Sequence, residues 1–403
     1  MLSRSLDEHR AAVAAALAPI PPLTVLVGDA AGATLVEPLV APAPLPAAPV
    51  AAWDGYAVLA SDAAAGASLP VAHDVSFSDR GPRRHLPRTA ARVASGMALP
   101  TGADAVVPLA STDGGVARVR VDDAPVPGLG VRPAGFDAAA GVALVPAGRR
   151  LGGRELALAA SLGLARLTVR PVPRVVVLAT GSELVDTGSG RPGVPEATAH
   201  LVAVAARNAG ARAVRVGPVP DDRPTLRTAI EDQLVRADLL ITTGGLSAGR
   251  DDTVVAALGD LGEVEDVSLA LEPGPHHALA MLGDEGARRV PAIALPGSPA
   301  AAALAFEAYV RPALRRMCGF TEVARPGVRA RIGRTWMSPR GVAQAVPVRL
   351  GVDAGGTVTA DPACEPGRAT LAALGAADGI AWVDADVAEV HAGDMLRCTV
   401  WDD

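Results

Sequence analysis

Between residues 174 and 316 the chain alternates short apolar runs with amphipathic stretches, and that alternation constrains its fold more than any other feature. Arg174–Thr180 (RVVVLAT) is an unbroken apolar run, as expected of a strand covered on both faces. The pattern then predicts a helix at Glu196–Asn208, a strand at Ala211–Gly217 and a helix at Pro224–Arg236. It continues with a strand at Asp238–Thr243, a helix near Asp252–Leu258, a strand at Val290–Leu295 and a helix at Pro299–Arg316. Such a series predicts an α/β domain with a largely parallel sheet and helices on both faces.

In an open α/β sheet, ligands bind beyond the carboxyl ends of the strands. Four stretches lie at such ends: TGSEL (180–184), PVPDDR (218–223), TTGGLSAGRDD (242–252) and LPGSP (295–299). Small residues let backbone approach a ligand closely, and amides before a helix suit a phosphate. Glu183, Asp222 and Asp252 are candidate Mg²⁺ ligands, because hard cations take oxygen donors. Singly, each feature has a plainer reading. A Gly-Gly after a strand makes a tight turn, and an Asp there caps the next helix. Four such loops on one edge point to a phosphate and Mg²⁺ site.

The flanks differ in kind. Ser5 to Glu8 forms a capping-box pattern, predicting a helix to about Leu17 that Pro19, Pro21 and Pro22 stop. Short β-like runs at Ala90–Val93, Ala105–Pro108 and Ala117–Val121 indicate a small β module over residues 55–135. Residues 151–164 are helical in pattern, and 325–403 return to short strands with Gly and Pro turns. At 403 residues the chain has room for several domains. No run of apolar residues is long enough for a membrane span, and MLSRSLDEHR is not a secretory signal, so a cytoplasmic location is expected. Cys318, Cys364 and Cys398 are too scattered for a disulfide frame or a zinc site. A net charge of −6 argues against nucleic acid as a partner. The chain has no lysine, which together with its Ala, Gly, Pro and Val content reads as coding bias.

The loops TGSEL, TTGGLSAGRDD and LPGSPAAA resemble the pterin-site loops of the molybdopterin molybdenumtransferases (MoeA and the gephyrin E domain). AWDGYAV (52–58), ASGMALPTGADAVV (94–107) and RPAGFD (132–137) resemble that family's N-terminal motifs, in the same order. The resemblance covers nearly the whole chain. It implies a multidomain fold of α/β and all-β modules: a helical and linker region (1–45 with 141–171), an inserted β-rich module (46–140), a central MoaB/Mog-like doubly wound α/β domain (172–320) and a C-terminal β-barrel-like domain (325–403). It implies insertion of molybdate into adenylylated molybdopterin with Mg²⁺ and release of AMP. It also implies a homodimer with an active site between subunits, and the molybdopterin adenylyltransferase and recipient molybdoenzymes as partners. Asp54, Asp137, Glu183, Asp222 and Asp252 stand at the family's acidic positions. Ser95, Gly181, Ser182, Gly244, Gly245, Ser247, Gly249, Pro296, Gly297, Ser298 and Pro299 would line the pterin site.

Several positions depart from the pattern. Phe136 replaces a Glu, Ser182 an Asp, Ser298 an Asn, and Thr198 ends a worn-down VPEAT segment where the family has Asn. The largest departure is VSLALEPGPHHA (267–278), where Ser268, Glu272 and Pro275 stand at three lysine positions. Coding bias explains Lys becoming Arg, but not Glu or Pro. A carboxylate beside a phosphate is unfavourable. Two readings of the function follow: an insertase whose phosphate contacts come from elsewhere, Arg250 among them, or a catalytically degenerate paralogue acting as a pterin-binding, scaffold or regulatory dimer. A third reading is a relative sharing only the α/β domain, such as the CinA-type nucleotide hydrolases or the molybdopterin adenylyltransferases, which TTGGLSAGRDD alone would also fit; AWDGYAV, TGADAVV and the C-terminal β domain argue against it. Adjacent His276 and His277 point to opposite faces of an extended chain, which disfavours a shared metal ion. One of them, protonated, could contact an anion; the plainer reading is two polar residues at a strand start.

Overall fold

A computed structural model describes residues 1–75, 83–246, 253–284, 286 and 288–401. The chain forms two compact units: Met1–Val36, Gly148–Gly152 and Leu167–Asp403 make one, and Glu37–Ala147 with Gly153–Arg166 the other.

The larger unit is built on a seven-stranded sheet. Its order is Leu2–Arg4, Gly262–Leu269, His276–Leu282, Val290–Leu295, Leu239–Thr243, Arg174–Thr180 and Arg212–Val219. The last four are mutually parallel, as the alternation predicts. His276–Leu282 runs antiparallel to both its neighbours, so the sheet is mixed. Side chains alternate along Arg174–Thr180. Val175, Val177 and Ala179 face a layer made by Ala199, Val202 and Ala206 of one helix and Leu304, Phe306 and Tyr309 of another. Val176 and Leu178 face Leu226, Ile230, Val254 and Leu258. Both faces are thus covered, which explains a strand buried along its length after Arg174.

The predicted capping box is present: Glu8 N donates to Ser5 Oγ and Ser5 N to the Glu8 carboxylate, starting the helix Leu6–Ala16. Ahead of it, Leu2–Arg4 extends the sheet beside Val267–Leu269, and the helix packs on the α/β core.

The C-terminal segment is a closed five-stranded barrel. Ala343–Val352 pairs with Val358–Pro362, which leads through Gly327–Ile332 and Met395–Val400 to Gly379–Val383, and this last strand closes back on Ala343–Val352. Ala330, Ile332, Val346, Val348, Ala381 and Cys398 fill it. Leu271–Glu272 pairs in parallel with Ala343–Gln344, so one short bridge ties the α/β layer to the barrel.

The smaller unit holds a five-stranded sheet, ordered Arg118–Arg120, Ser68–Asp74, Ala90–Val93, Gly55–Val58 and Ala105–Pro108. Gly55 has no room for a side chain, since a methyl there would lie 2.0 Å from the Val107 carbonyl oxygen. The helix expected over 151–164 spans Gly153–Ser161.

Candidate active site

Four loops leave the carboxyl ends of the parallel strands, and backbone contacts join them. Gly181 N donates to Val219 O at 3.0 Å, and Gly244 N to Leu295 O at 3.3 Å. Gly244 has φ +85°, and a methyl on it would lie 2.3 Å from Thr180 O. A methyl on Gly297 would lie 3.2 Å from the Gly244 Cα. The TTGG and LPGSP loops therefore meet backbone to backbone, and at Gly244 glycine is required by contact as well as by dihedral angle. Thr198 Oγ1 donates to Gly297 O at 2.7 Å, so the VPEAT segment holds the LPGSP loop. The same segment places Glu196, almost wholly buried. It accepts from Ala199 N at 2.6 Å and pairs with Arg215 at 3.5 Å.

The carboxylates divide by role. Asp222 is the N-cap of the helix Arg223–Leu234 and accepts from Thr225 N at 3.0 Å. The Thr225 amide, backed by its hydroxyl, holds the Asp222 carboxyl below the usual carboxylate range. Its neighbour Asp221, which sequence reasoning did not single out, faces the TGSEL loop and accepts from the Ser182 amide at 3.2 Å and from the Ser182 hydroxyl. Adjacent acids in PVPDDR read alike in sequence, and only helix phasing separates cap from cross-link. Glu183 is exposed, its carboxylate folded over Gly181. Ser247, Gly249, Arg250 and Asp252 lie outside the described residues. Two hydroxyls at this edge that the sequence did not flag, Thr180 Oγ1 and Thr242 Oγ1, are buried with no hydrogen-bond partner among the described residues.

In the smaller unit, Asp54 and Ser95 come together: Ser95 N donates to Asp54 Oδ1 at 2.7 Å and Ser95 Oγ to Ala52 O. Asp137 is exposed and bonds neither of them, its amide donating to Leu45 O.

Side chains in the 268–277 turn are engaged within the fold. The Gln344 amide donates to Glu272 Oε2 at 2.5 Å, and Trp336 Nε1 donates to Gln344 Oε1 at 2.9 Å. His276 Nε2 meets Asp266 Oδ1 at 2.8 Å across the hairpin. His277 is fully buried. Its Nε2–H donates to Gly274 O at 2.7 Å, which leaves Nδ1 to accept from the Tyr309 hydroxyl at 2.8 Å. Burial pushes its pKa down to about 3. A neutral core histidine and a strand-pairing one are thus what this turn carries. Among the described residues no group of three His, Cys, Asp or Glu side chains could hold a metal. Ser268, Glu272 and Pro275 line an open cavity of about 550 Å³ together with Pro339, Gly341, Val342 and Gly367.

Comparison with known proteins covers the same regions. Residues 4–163 match the MoeA N-terminal region (domain I and II), 176–316 a probable molybdopterin binding domain, and 329–401 the MoeA C-terminal region (domain IV). Molybdopterin molybdenumtransferase 2 of Mycobacterium tuberculosis is 37% identical over 413 residues, covering 99% of both chains. Molybdopterin molybdenumtransferase 1 of the same organism is 37% identical over 351 residues, covering 81% of this chain and 82% of that one. The crystal structure of a molybdopterin biosynthesis MoeA protein from Pyrococcus horikosii superposes with a TM-score of 0.76 at 26% identity, covering 99% of each chain.

Proposed function

Since the chain belongs to the MoeA family of molybdopterin molybdenumtransferases, we propose that it inserts molybdate into adenylylated molybdopterin and releases AMP. The observation that carries this reading is the backbone-lined edge at Gly181, Gly244 and Gly297, where loops approach closely enough to enclose a ligand's phosphates. Water cleaves the phosphoanhydride joining AMP to the pterin phosphate, giving AMP and the pterin monophosphate, while the two dithiolene sulfurs displace oxygen from molybdate, which leaves as water. The glycine loops would orient the phosphates, and Ser182 and Ser298 would offer hydroxyls.

Mg²⁺ is commonly held by one or two carboxylates together with substrate phosphates and water. Glu183 and Asp222 fit that demand. They are exposed and flank the hydrogen-bonded pair Ser182–Asp221, which joins their two loops. Asp222 caps its helix through Oδ1, leaving Oδ2 for an ion. We assign Mg²⁺ to these two residues with Asp252; when bound it would neutralise phosphate charge.

Glu272 does not oppose this reading, because its carboxylate is turned to Gln344. The barrel brings exposed Arg340 and Arg368 next in sequence to lining residues of the same cavity, and these are the cations we propose in place of the family lysines. We also propose a working homodimer supplied by an adenylyltransferase and serving molybdoenzymes; light scattering tests the dimer. Among the described residues no helix is long and apolar enough to cross a membrane.

The test is AMP release from adenylylated molybdopterin with Mg²⁺ and molybdate. Molybdate-dependent release is expected, falling at least tenfold in Asp222→Asn with an unchanged melting temperature, since Asn still caps the helix. Arg340→Gln with Arg368→Gln should raise KM more than it lowers kcat. A folded protein with no release above background overturns the reading.

A further inference from the structure

A second cleft, of about 520 Å³, lies where the first helix and the segment 307–325 face the outside of the barrel. It shares no residue with the carboxyl-edge loops or with the cavity at Glu272. Five arginines line it against two carboxylates, in a chain whose net charge is −6. One of the carboxylates is already committed: Arg325 grips Glu307 through two bonds, of 2.9 and 3.1 Å. The other, Asp384, is exposed.

The barrel wall carries the distinctive feature. Arg329 and Arg397 stand directly opposite one another on antiparallel strands. Like charges in that position repel and destabilise the pair. Arg329 reaches the Met395 carbonyl at 2.9 Å, while Arg397 makes no ion pair among the described residues. Trp382 is the next residue across, opposite Arg397 on its other side. The Arg10 guanidinium lies 5.8 Å from the Trp382 ring centroid, with Nε donating to Ala308 O at 2.8 Å. The result is a row of cation, cation and aromatic ring along one wall, with Arg10 fixed above the ring.

We propose that this cleft binds a phosphate dianion, free or as a monoester, between Arg329 and Arg397. Paired guanidinium forks match phosphate oxygens bidentately, and a bound dianion removes the repulsion between the two strands. A volume of this size accommodates a small ligand. Trp382 supplies a flat face for a ring attached to the phosphate.

The experiment is calorimetry on the full chain at low ionic strength, where charge contacts are least screened. One arm uses inorganic phosphate and the other AMP. Saturable phosphate binding is expected, weakened at least tenfold by Arg397→Gln and by Arg329→Gln. Arg212→Gln, on the far edge of the α/β sheet, should leave it unchanged. AMP binding that is tighter than phosphate and equally dependent on Arg397 assigns a monoester; phosphate binding alone assigns the free ion. Arg397→Glu should abolish binding without lowering the melting temperature, because it converts the repulsion into a cross-strand pair. Absence of saturable binding, or binding indifferent to Arg397, overturns the proposal. None of these readings depends on AMP release, so failure here leaves the insertase reading untouched, and the reverse.

Discussion

At Gly244 and Gly297 two loops meet backbone to backbone, whereas at Glu272 the α/β layer meets the barrel through side chains. In the first region close backbone approach at Gly244 and Gly297 sets which residues fit. In the second, the Glu272 carboxylate is held within the fold by the Gln344 amide. Contact through backbone leaves no freedom to substitute, because the clashing atoms belong to the main chain. Contact through side chains can be exchanged one pair at a time, and Glu272–Gln344–Trp336 and Tyr309–His277–Gly274 are contacts of that kind.

The backbone region should break hardest. Gly244→Ala imposes a side chain at φ +85° and drives a methyl to within 2.3 Å of Thr180 O. A loss of about 3 kcal/mol or more is expected from strain and displacement together. AMP release should fall at least a hundredfold even where the protein still folds. Urea unfolding and the AMP assay measure the two effects. A Gly244→Ala protein of normal stability and turnover would remove the basis for calling this contact obligatory.

The side-chain region should answer to pH. His9, buried and with neither ring nitrogen hydrogen-bonded among the described residues, packs edge-on to Tyr309 at 4.6 Å beside His277. Burial pushes the pKa of His9 down to about 4 and that of His277 down to about 3. Both folded values lie below that of a free imidazole, near 6.5, so the unfolded chain binds protons that the folded chain refuses. Stability is then complete above about pH 6.5 and declines as pH falls toward 4 and 3. Each histidine should cost about 2 kcal/mol at pH 5 relative to neutral pH. His9→Leu should roughly halve this dependence without loss at pH 7.5, since it removes a polar group that has no partner. Identical slopes for wild type and variant would dismiss His9 as a source.

A smaller effect separates adaptation from damage at Glu272. Glu272→Lys places the lysine expected from the resemblance but removes the acceptor of the Gln344 amide. A stability loss of about 1–2 kcal/mol is expected, without a gain in AMP release. A faster enzyme would show instead that the glutamate is a defect.

How much of this was visible beforehand follows the same division. The parallel strands and their helices were legible because burial on both faces writes a continuous apolar run, and the capping box because it is local. The strand Leu2–Arg4 was not, since three residues carry no period and its partner lies more than 260 positions away. The hairpin Gly262–Leu269 with His276–Leu282 was missed beyond its second start because its first strand, GEVEDVSL, is largely polar and only half-buried. At the site, glycine loops announced themselves, while Asp221 did not: adjacent acids look alike until a helix chooses one as its cap. The partners of Glu272 and His277 lie 72 and 32 positions away, at residues with no motif of their own.

Thr198 tests where the two kinds of contact join, because a side chain there holds a backbone loop. Its hydroxyl donates to Gly297 O at 2.7 Å. Thr198→Val keeps the shape and removes the donor. Gly297 is exposed, so water can replace the lost partner and the stability cost should stay below about 1 kcal/mol. The LPGSP loop would nevertheless lose its tether, and a two- to fivefold rise in KM for the pterin substrate, by analogy with about 0.5–1 kcal/mol of lost positioning, is the expected outcome. Thr198→Asn, which can still donate, should recover most of it. If valine and asparagine behave alike, the loop is held by the Gly244–Gly297 backbone contact alone, and the VPEAT segment plays no part in the site.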